Sequence, residues 1–193
     1  SLQGGQKLMS TAMIIVIGIV VVIGGWLMMT YNGLVNLRNM MQEGWSGIDV
    51  QLKRRFDLIP NLVETVKGYA AHEKETLQNV TEARTAVTNA GSDTEARLQA
   101  ENMLTGTLRT LFAVAESYPD LKANTNFLQL QEQLANIEND LQMARRYYNG
   151  TVRNLNNGIQ KFPAVLIARS FGFKEATIFQ VEEEAKQTPK VSF

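Results

Sequence analysis

The sequence predicts an all-α protein: an N-terminal transmembrane helix that continues into an antiparallel four-helix bundle with long helices. Three observations carry this prediction. Between Lys7 and Arg38 no residue is charged, and residues 13–29 read MIIVIGIVVVIGGWLMM. From Asn32 to Lys161 apolar residues recur at steps of three and four, and the only prolines are Pro60 and Pro119. No comparable run alternates with period two, so strands are not expected.

A short tail, 1–11, comes first. Residues 12–31 follow as the membrane helix: at ~1.5 Å per residue they span ~30 Å, the thickness of a bilayer's hydrocarbon core. The segment is apolar all round, unlike the one-faced helix of a soluble core. It is longer than a signal peptide's apolar region and lacks a small-x-small site after it, so the helix is expected to be retained. Met13, Ile17, Val21, Trp26, Met29 and Tyr31 are its anchor residues, with Trp26 and Tyr31 placed for an aromatic interfacial belt. Gly18, Gly24 and Gly25 could permit close helix–helix approach, though their spacing is not GxxxG. The positive-inside rule sets Lys7 against Arg38 and the later Lys53, Arg54 and Arg55, which favours a bundle in the cytoplasm.

Residues 32–163 form the bundle. Its first helix carries Met41, Trp45, Ile48 and Leu52, then Ile59, Val63, Val66 and Ala70. Repeats near 3.5 residues mark helices packed at shallow angles. Pro60 either kinks this helix or ends it; the register passes through it unbroken, which favours the kink. Gly68 is a candidate left-handed terminator. A second helix is expected from about His72 to Asn89, closed by Gly91. Ser92-x-x-Glu95 reads as a capping box opening the third helix. Leu104, Leu108, Leu111, Ala115 and Tyr118 form its stripe, and it ends near Pro119. Residues 120–125 are the expected turn. The fourth helix buries Phe127, Leu130, Leu134, Ile137, Leu141, Ala144 and Tyr148 and stops at Pro163. With no charge from Tyr31 to Leu37, the membrane helix should run straight into the bundle. Lys53 then lies ~33 Å beyond Tyr31, too far to hold headgroups of the same membrane.

The composition removes most chemistry. Lys plus Arg and Asp plus Glu are 19 each, so the net charge is zero, which argues against non-specific nucleic-acid binding. With no cysteine and one histidine, disulfides, thiolate sites, cysteine nucleophiles and multi-histidine metal sites are excluded. His72 has no second histidine near it and reads as a surface or capping residue. No glycine-rich phosphate loop exists, and no cofactor is expected. Glu182, Glu183 and Glu184 read as solvated. The densest charged feature is 53–57. Lys53, Arg54, Arg55, Asp57 and Asn61 form a candidate partner surface; the alternative is a solvated face with internal pairs such as Asp49–Lys53. Arg54 and Arg55 cannot both face inward. Residues 164–193 comprise an apolar segment and a polar tail. The stretch 162–179, with Phe162, Phe171, Phe173 and Phe179, either packs on the bundle's end or offers an apolar surface for self-association or for lying on a membrane.

The residues Tyr31-Asn32-Gly33-Leu34-Val35, the block Arg54-Arg55-Phe56-Asp57-Leu58-Ile59-Pro60-Asn61-Leu62-Val63, and Gly68-Tyr69-Ala70-Ala71-His72-Glu73 stand in an order that resembles the LemA family of bacterial proteins. Ala83-Arg84, 118–123, Tyr148-Asn149 and Phe162-Pro163 add to the likeness, which covers roughly 31–173. Gly44, where alanine is usual, and the tail after Phe173 depart from it. The resemblance implies a membrane-anchored helical bundle and brings no enzymatic activity with it. The function expected is a non-enzymatic, single-pass protein of the bacterial cell membrane (the inner one if Gram-negative). Its bundle self-associates as a scaffold or, alternatively, docks a membrane-protein partner such as an envelope protease or stress component. The expected partners are thus the lipid bilayer, further copies of the chain and a possible protein, but no nucleic acid.

Overall fold

A computed structural model describes residues 2–179, with side chains from Lys7 onward; the acidic tail with Glu182, Glu183 and Glu184 lies outside the described residues. The described chain is helical, without strands. Its elements are α1 (Leu2–Tyr69), α2 (Lys74–Ala90), α3 (Thr94–Ala115), α4 (Pro119–Ala123), α5 (Thr125–Gln160) and α6 (Ala164–Ser170). They pack as two compact units. One comprises residues 1–44 with 149–178, and the other 45–148 with the segment that begins at Phe179.

The first unit holds the apolar half of α1. This stretch is long and apolar enough to cross a membrane, and none of its apolar side chains is buried. Val21 and Met29 are 66% and 77% exposed. Water does not tolerate so long an unbroken apolar surface; hydrocarbon does. Further along, Leu34 packs with Leu155 and Ile159 of α5, Ile167 and Ala168 of α6, and Phe173. Gly158 leaves room for leucine side chains of α1 against α5. A Cβ there would lie 2.8 Å from the Leu37 side chain and 3.3 Å from that of Leu34. After α6, Gly172 adopts a positive φ of 71° and turns the chain into an extended segment. The Asn156 side chain holds that segment by donating to the Ala176 carbonyl (3.0 Å) and accepting from the Ala176 N–H (2.9 Å).

The second unit is built on one core shared by five helices. Ile59, Leu62 and Val66 of α1 meet Val80 and Ala83 of α2, Leu104 and Leu111 of α3, Leu121 of α4, and Phe127 and Leu130 of α5. The stripe expected on the first bundle helix is buried at Ile48, Leu52, Ile59, Val66 and Ala70, and Leu62 belongs with it. Pro60 does not end the helix, since α1 continues to Tyr69. Proline lacks the N–H that would bond the carbonyl four residues back, here Phe56. Arg84 of α2 supplies the missing donor: its Nε donates to the Phe56 carbonyl at 3.4 Å, and its guanidinium lies 4.0 Å over the Phe56 ring. A proline inside a helix is thus accommodated by a side chain from the neighbouring one.

Several boundary expectations are corrected. Gly68 is not the left-handed terminator; the helix runs one residue past it, and Gly68 has no positive φ. The cap of α3 is Asp93, not Ser92: Asp93 Oδ1 accepts from the Ala96 N–H at 3.1 Å, so the Ser92–Glu95 box does not form. Residues 120–125 are not a plain turn, because Pro119 opens the short helix α4 and Asn124 then caps α5 through the Phe127 N–H at 2.9 Å. Gly91 does close α2, with φ of 56°.

Candidate functional site

The heptad face of α1 reads Ile48, Leu52, Arg55, Ile59, Leu62, Val66, in steps of four and three. Arg55 therefore occupies a core position, and it is only 2% exposed. The same holds for Glu101 on α3, one turn before Leu104, and for Arg145 on α5, between Leu141 and Tyr148. Three helices thus each place one charge where the pattern calls for an apolar side chain. Burying a lone charge is prohibitive, and the three meet. Arg55 Nη2 donates to Glu101 Oε2 (2.5 Å) and to the Glu101 carbonyl (3.2 Å), while Nη1 donates to Thr105 Oγ1 (2.7 Å). Glu138, one-third exposed on α5, lies 3.5 Å from Arg55 and 4.0 Å from Arg145, so two guanidiniums face two carboxylates.

This cluster is balanced but not saturated. Arg55 Nε, Glu101 Oε1, and Nε and Nη2 of Arg145 are buried without a hydrogen-bond partner among the described residues. Arg145 instead rests its guanidinium 4.2 Å over the Phe179 ring. Burial lowers the Arg145 pKa from its ordinary value, as does the Arg55 charge, while Glu138 and Glu101 oppose them. Arginine nevertheless keeps its proton throughout the physiological range. An open cleft of about 400 Å³ reaches Arg55 and Glu138 between Thr105, Arg109, Phe112 and Gln131. The carboxylate at this cleft, Glu138, is shared by Arg55 and Arg145.

The candidate partner surface is divided by the fold. Arg55 is a correction: it is enclosed in the core and presents nothing to a partner. Lys53, Arg54, Asp57 and Asn61 are exposed. Arg54 accordingly faces outward, accompanied by Gln51 (2.9 Å) and Asp140 (3.7 Å). Asn61 meets the Asn126 amide at 3.5 Å. Lys53 and Asp57 line a cleft of about 370 Å³ together with Asp49, Phe56 and Arg97. Asp49 pairs with Arg97 of α3 at 2.5 Å rather than with Lys53, an inter-helix contact that periodicity along α1 could not anticipate. His72 is exposed in the turn before α2. Beside that turn, Glu73 Oε1 accepts from the Tyr118 hydroxyl at 2.8 Å. Among the described residues no three of Asp, Glu and His converge as a metal-ligand set.

The four phenylalanines of the apolar stretch separate. Phe173 is buried, and Tyr31 packs on both Phe171 and Phe173 at centroid distances of 4.9 and 5.9 Å. Phe162 and Phe171 are 81% and 64% exposed. Phe179 is buried in the second unit. The anchor residues Met13, Ile17, Val21, Trp26, Met29 and Tyr31 are all more than a third exposed.

An apolar helix long enough to cross a membrane, followed by helices that enclose charges in their core, defines the class: a helical protein with one candidate membrane span among the described residues. Residues 44–193 match the LemA family, and the chain belongs to that family. The match includes the tail after Phe173, which the sequence blocks alone did not bring into the likeness. The chain is 27% identical over 152 residues to Protein LemA of Metamycoplasma hominis, covering 79% of this chain and 69% of the relative. It is also 27% identical over 191 residues to Magnetosome protein MamQ 2 of Paramagnetospirillum magneticum, and 24% identical to Magnetosome protein MamQ of Magnetospirillum gryphiswaldense. Each of those two alignments covers 86% of this chain and 70% of the relative. None of these names is that of an enzyme.

Proposed function

We infer that this chain is a non-enzymatic, single-pass protein of the bacterial cell membrane. Its helices form an antiparallel four-helix bundle that self-associates as a membrane-bound scaffold, with the bundle on the cytoplasmic side. The observation that carries the reading is the disposition of enclosed charge: Arg55 of α1 pairs with Glu101 of α3 and with Glu138 of α5, and Glu138 pairs in turn with Arg145. Such a network fixes which helix faces meet, a specificity role attested for buried polar groups elsewhere. It serves a bundle that must keep its shape rather than one that turns over substrate. Copies of the chain would meet through the anchor and through outward apolar side chains such as Met143 and Tyr147, one turn apart on α5 and about half exposed.

The test is the mass of the full-length protein in mild detergent, by light scattering and electron microscopy. A particle containing several 21.6 kDa chains is expected; a monodisperse single chain would sink the scaffold reading. A second reading, an adaptor for a membrane protein, is favoured by the cleft that Lys53 and Asp57 line. Under that reading Lys53→Glu abolishes function in cells while particle mass stays unchanged.

A further inference from the structure

We propose that α6 is a second membrane contact: Phe162, Leu166 and Phe171 enter the interfacial layer of an anionic leaflet beside the point where α1 leaves the bilayer. The proposal rests on α1 being the membrane span. Helix α6 is held from one side only. Ile167 and Ala168, 5% and 0% exposed, pack into the core formed with Leu34, Leu155 and Ile159. On the opposite side Leu166 is 58% exposed, flanked by Phe162 and Phe171. Leaving such side chains in water forgoes much of the favourable transfer of apolar surface that burial brings.

Two observations select lipid as what covers them. First, the patch is continuous with the span. An apolar groove of about 350 Å³ is lined by Trp26 and Leu27 of α1 on one side and by Pro163, Leu166, Ile167 and Phe171 on the other. Trp26 is itself placed for the interfacial layer, so α6 lies at the level where headgroups meet acyl chains. Second, the charge is mainly positive. From Lys161 to Glu175 the chain carries Lys161, Arg169 and Lys174, all exposed, against one acid, Glu175, which accepts a hydrogen bond from Gln160 Nε2 at 2.9 Å. Short apolar segments bordered by cations are drawn to anionic surfaces and bury their apolar face a few ångströms into the interface.

The chain has no cysteine, so single reporters can be placed at will. Full-length Phe162→Cys, Leu166→Cys and Phe171→Cys proteins, each labelled with bimane, are reconstituted into vesicles of phosphatidylcholine and phosphatidylglycerol containing a phosphatidylcholine with a nitroxide on its upper acyl chain. Val21→Cys reports the span, and Met103→Cys, on exposed α3 surface, reports water. Quenching at 162, 166 and 171, as at 21 and unlike at 103, is the expected result. It should deepen as the phosphatidylglycerol fraction rises. Quenching at 21 alone would overturn the α6 contact and leave the anchor standing. Blue-shifted but unquenched labels on α6 would mean that protein covers the patch, which also overturns it. Absence of quenching at 21 would remove the anchor and the proposal together.

Discussion

Replacing Glu101 with alanine should uncover how the bundle tolerates its interior charges. In the native protein the Arg55 and Glu101 side chains are 3% and 1% exposed and joined at 2.5 Å. Removing the carboxylate leaves two guanidiniums to share Glu138, at 3.5 and 4.0 Å, and changes a balanced cluster into one with net charge +1. Breaking a buried pair from one side costs about 3–5 kcal/mol, a large fraction of the roughly 5–15 kcal/mol that a domain has. At a slope of about 2 kcal/mol per molar urea, the midpoint should fall by about 2 M. The assay is a urea titration in mild detergent followed by Trp45 fluorescence, because Trp45 packs 5.6 Å from Tyr148 within this unit. The double variant Arg55→Met/Glu101→Leu keeps Glu138 and Arg145 balanced and relieves Arg55 Nε and Glu101 Oε1, both without hydrogen-bond partners. It should recover most of the loss, since buried ion pairs exchanged for apolar side chains are often neutral or better. If Glu101→Ala shifts the midpoint by less than about 0.5 M, or the double variant is as unstable as the single, the cluster is not the desolvated pair argued here.

Further predictions concern the helix ends and the proline. Arg84→Met should destabilise by about 1–2 kcal/mol through the lost carbonyl bond and ring contact. The effect should shrink in a Pro60→Ala background, where residue 60 again has an N–H for the Phe56 carbonyl; equal losses in both backgrounds would refute the compensation. Asp93→Ala should cost about 1 kcal/mol as the cap of α3 is lost, whereas Ser92→Ala should leave the melting midpoint unchanged. Tyr118 has its pKa raised, chiefly by the hydrogen bond to Glu73, with burial and the Glu73 charge adding to it. A raised phenol pKa favours the neutral form in the folded state. Its contribution is therefore complete below the unfolded value of about 10 and lost as pH rises through the folded value. Tyr118→Phe should flatten this alkaline loss, and ultraviolet titration should show one fewer high-pKa tyrosine.

Much of the architecture is legible in the residues. The Lys7–Arg38 charge gap marks the candidate membrane segment, because hydrocarbon accepts no unpaired charge. The three-and-four spacing marks helices because only that period keeps Leu104, Leu108 and Leu111 on one face. The site is harder to read. The charged run 53–57 suggests a surface position for Arg55, whereas continuing the Ile48–Leu52 register through it to Ile59 and Leu62 identifies a core position. Helix α6 is legible only as an apolar stretch, because seven residues are too short to establish a period.

The primary sequence by itself determined the helical class, the exposed apolar span and the family, since each depends on local composition and spacing. Only the tertiary structure decided which arginine of the Arg54–Arg55 pair is enclosed and that Asp49 joins Arg97. It also assigned Arg84 to the carbonyl orphaned by Pro60, and left Phe162 and Phe171 outside while Phe173 and Phe179 went in. Those outcomes depend on which groups other helices bring within a few ångströms. Charge pairing and burial are properties of that arrangement, and they are not written in any one segment of the chain.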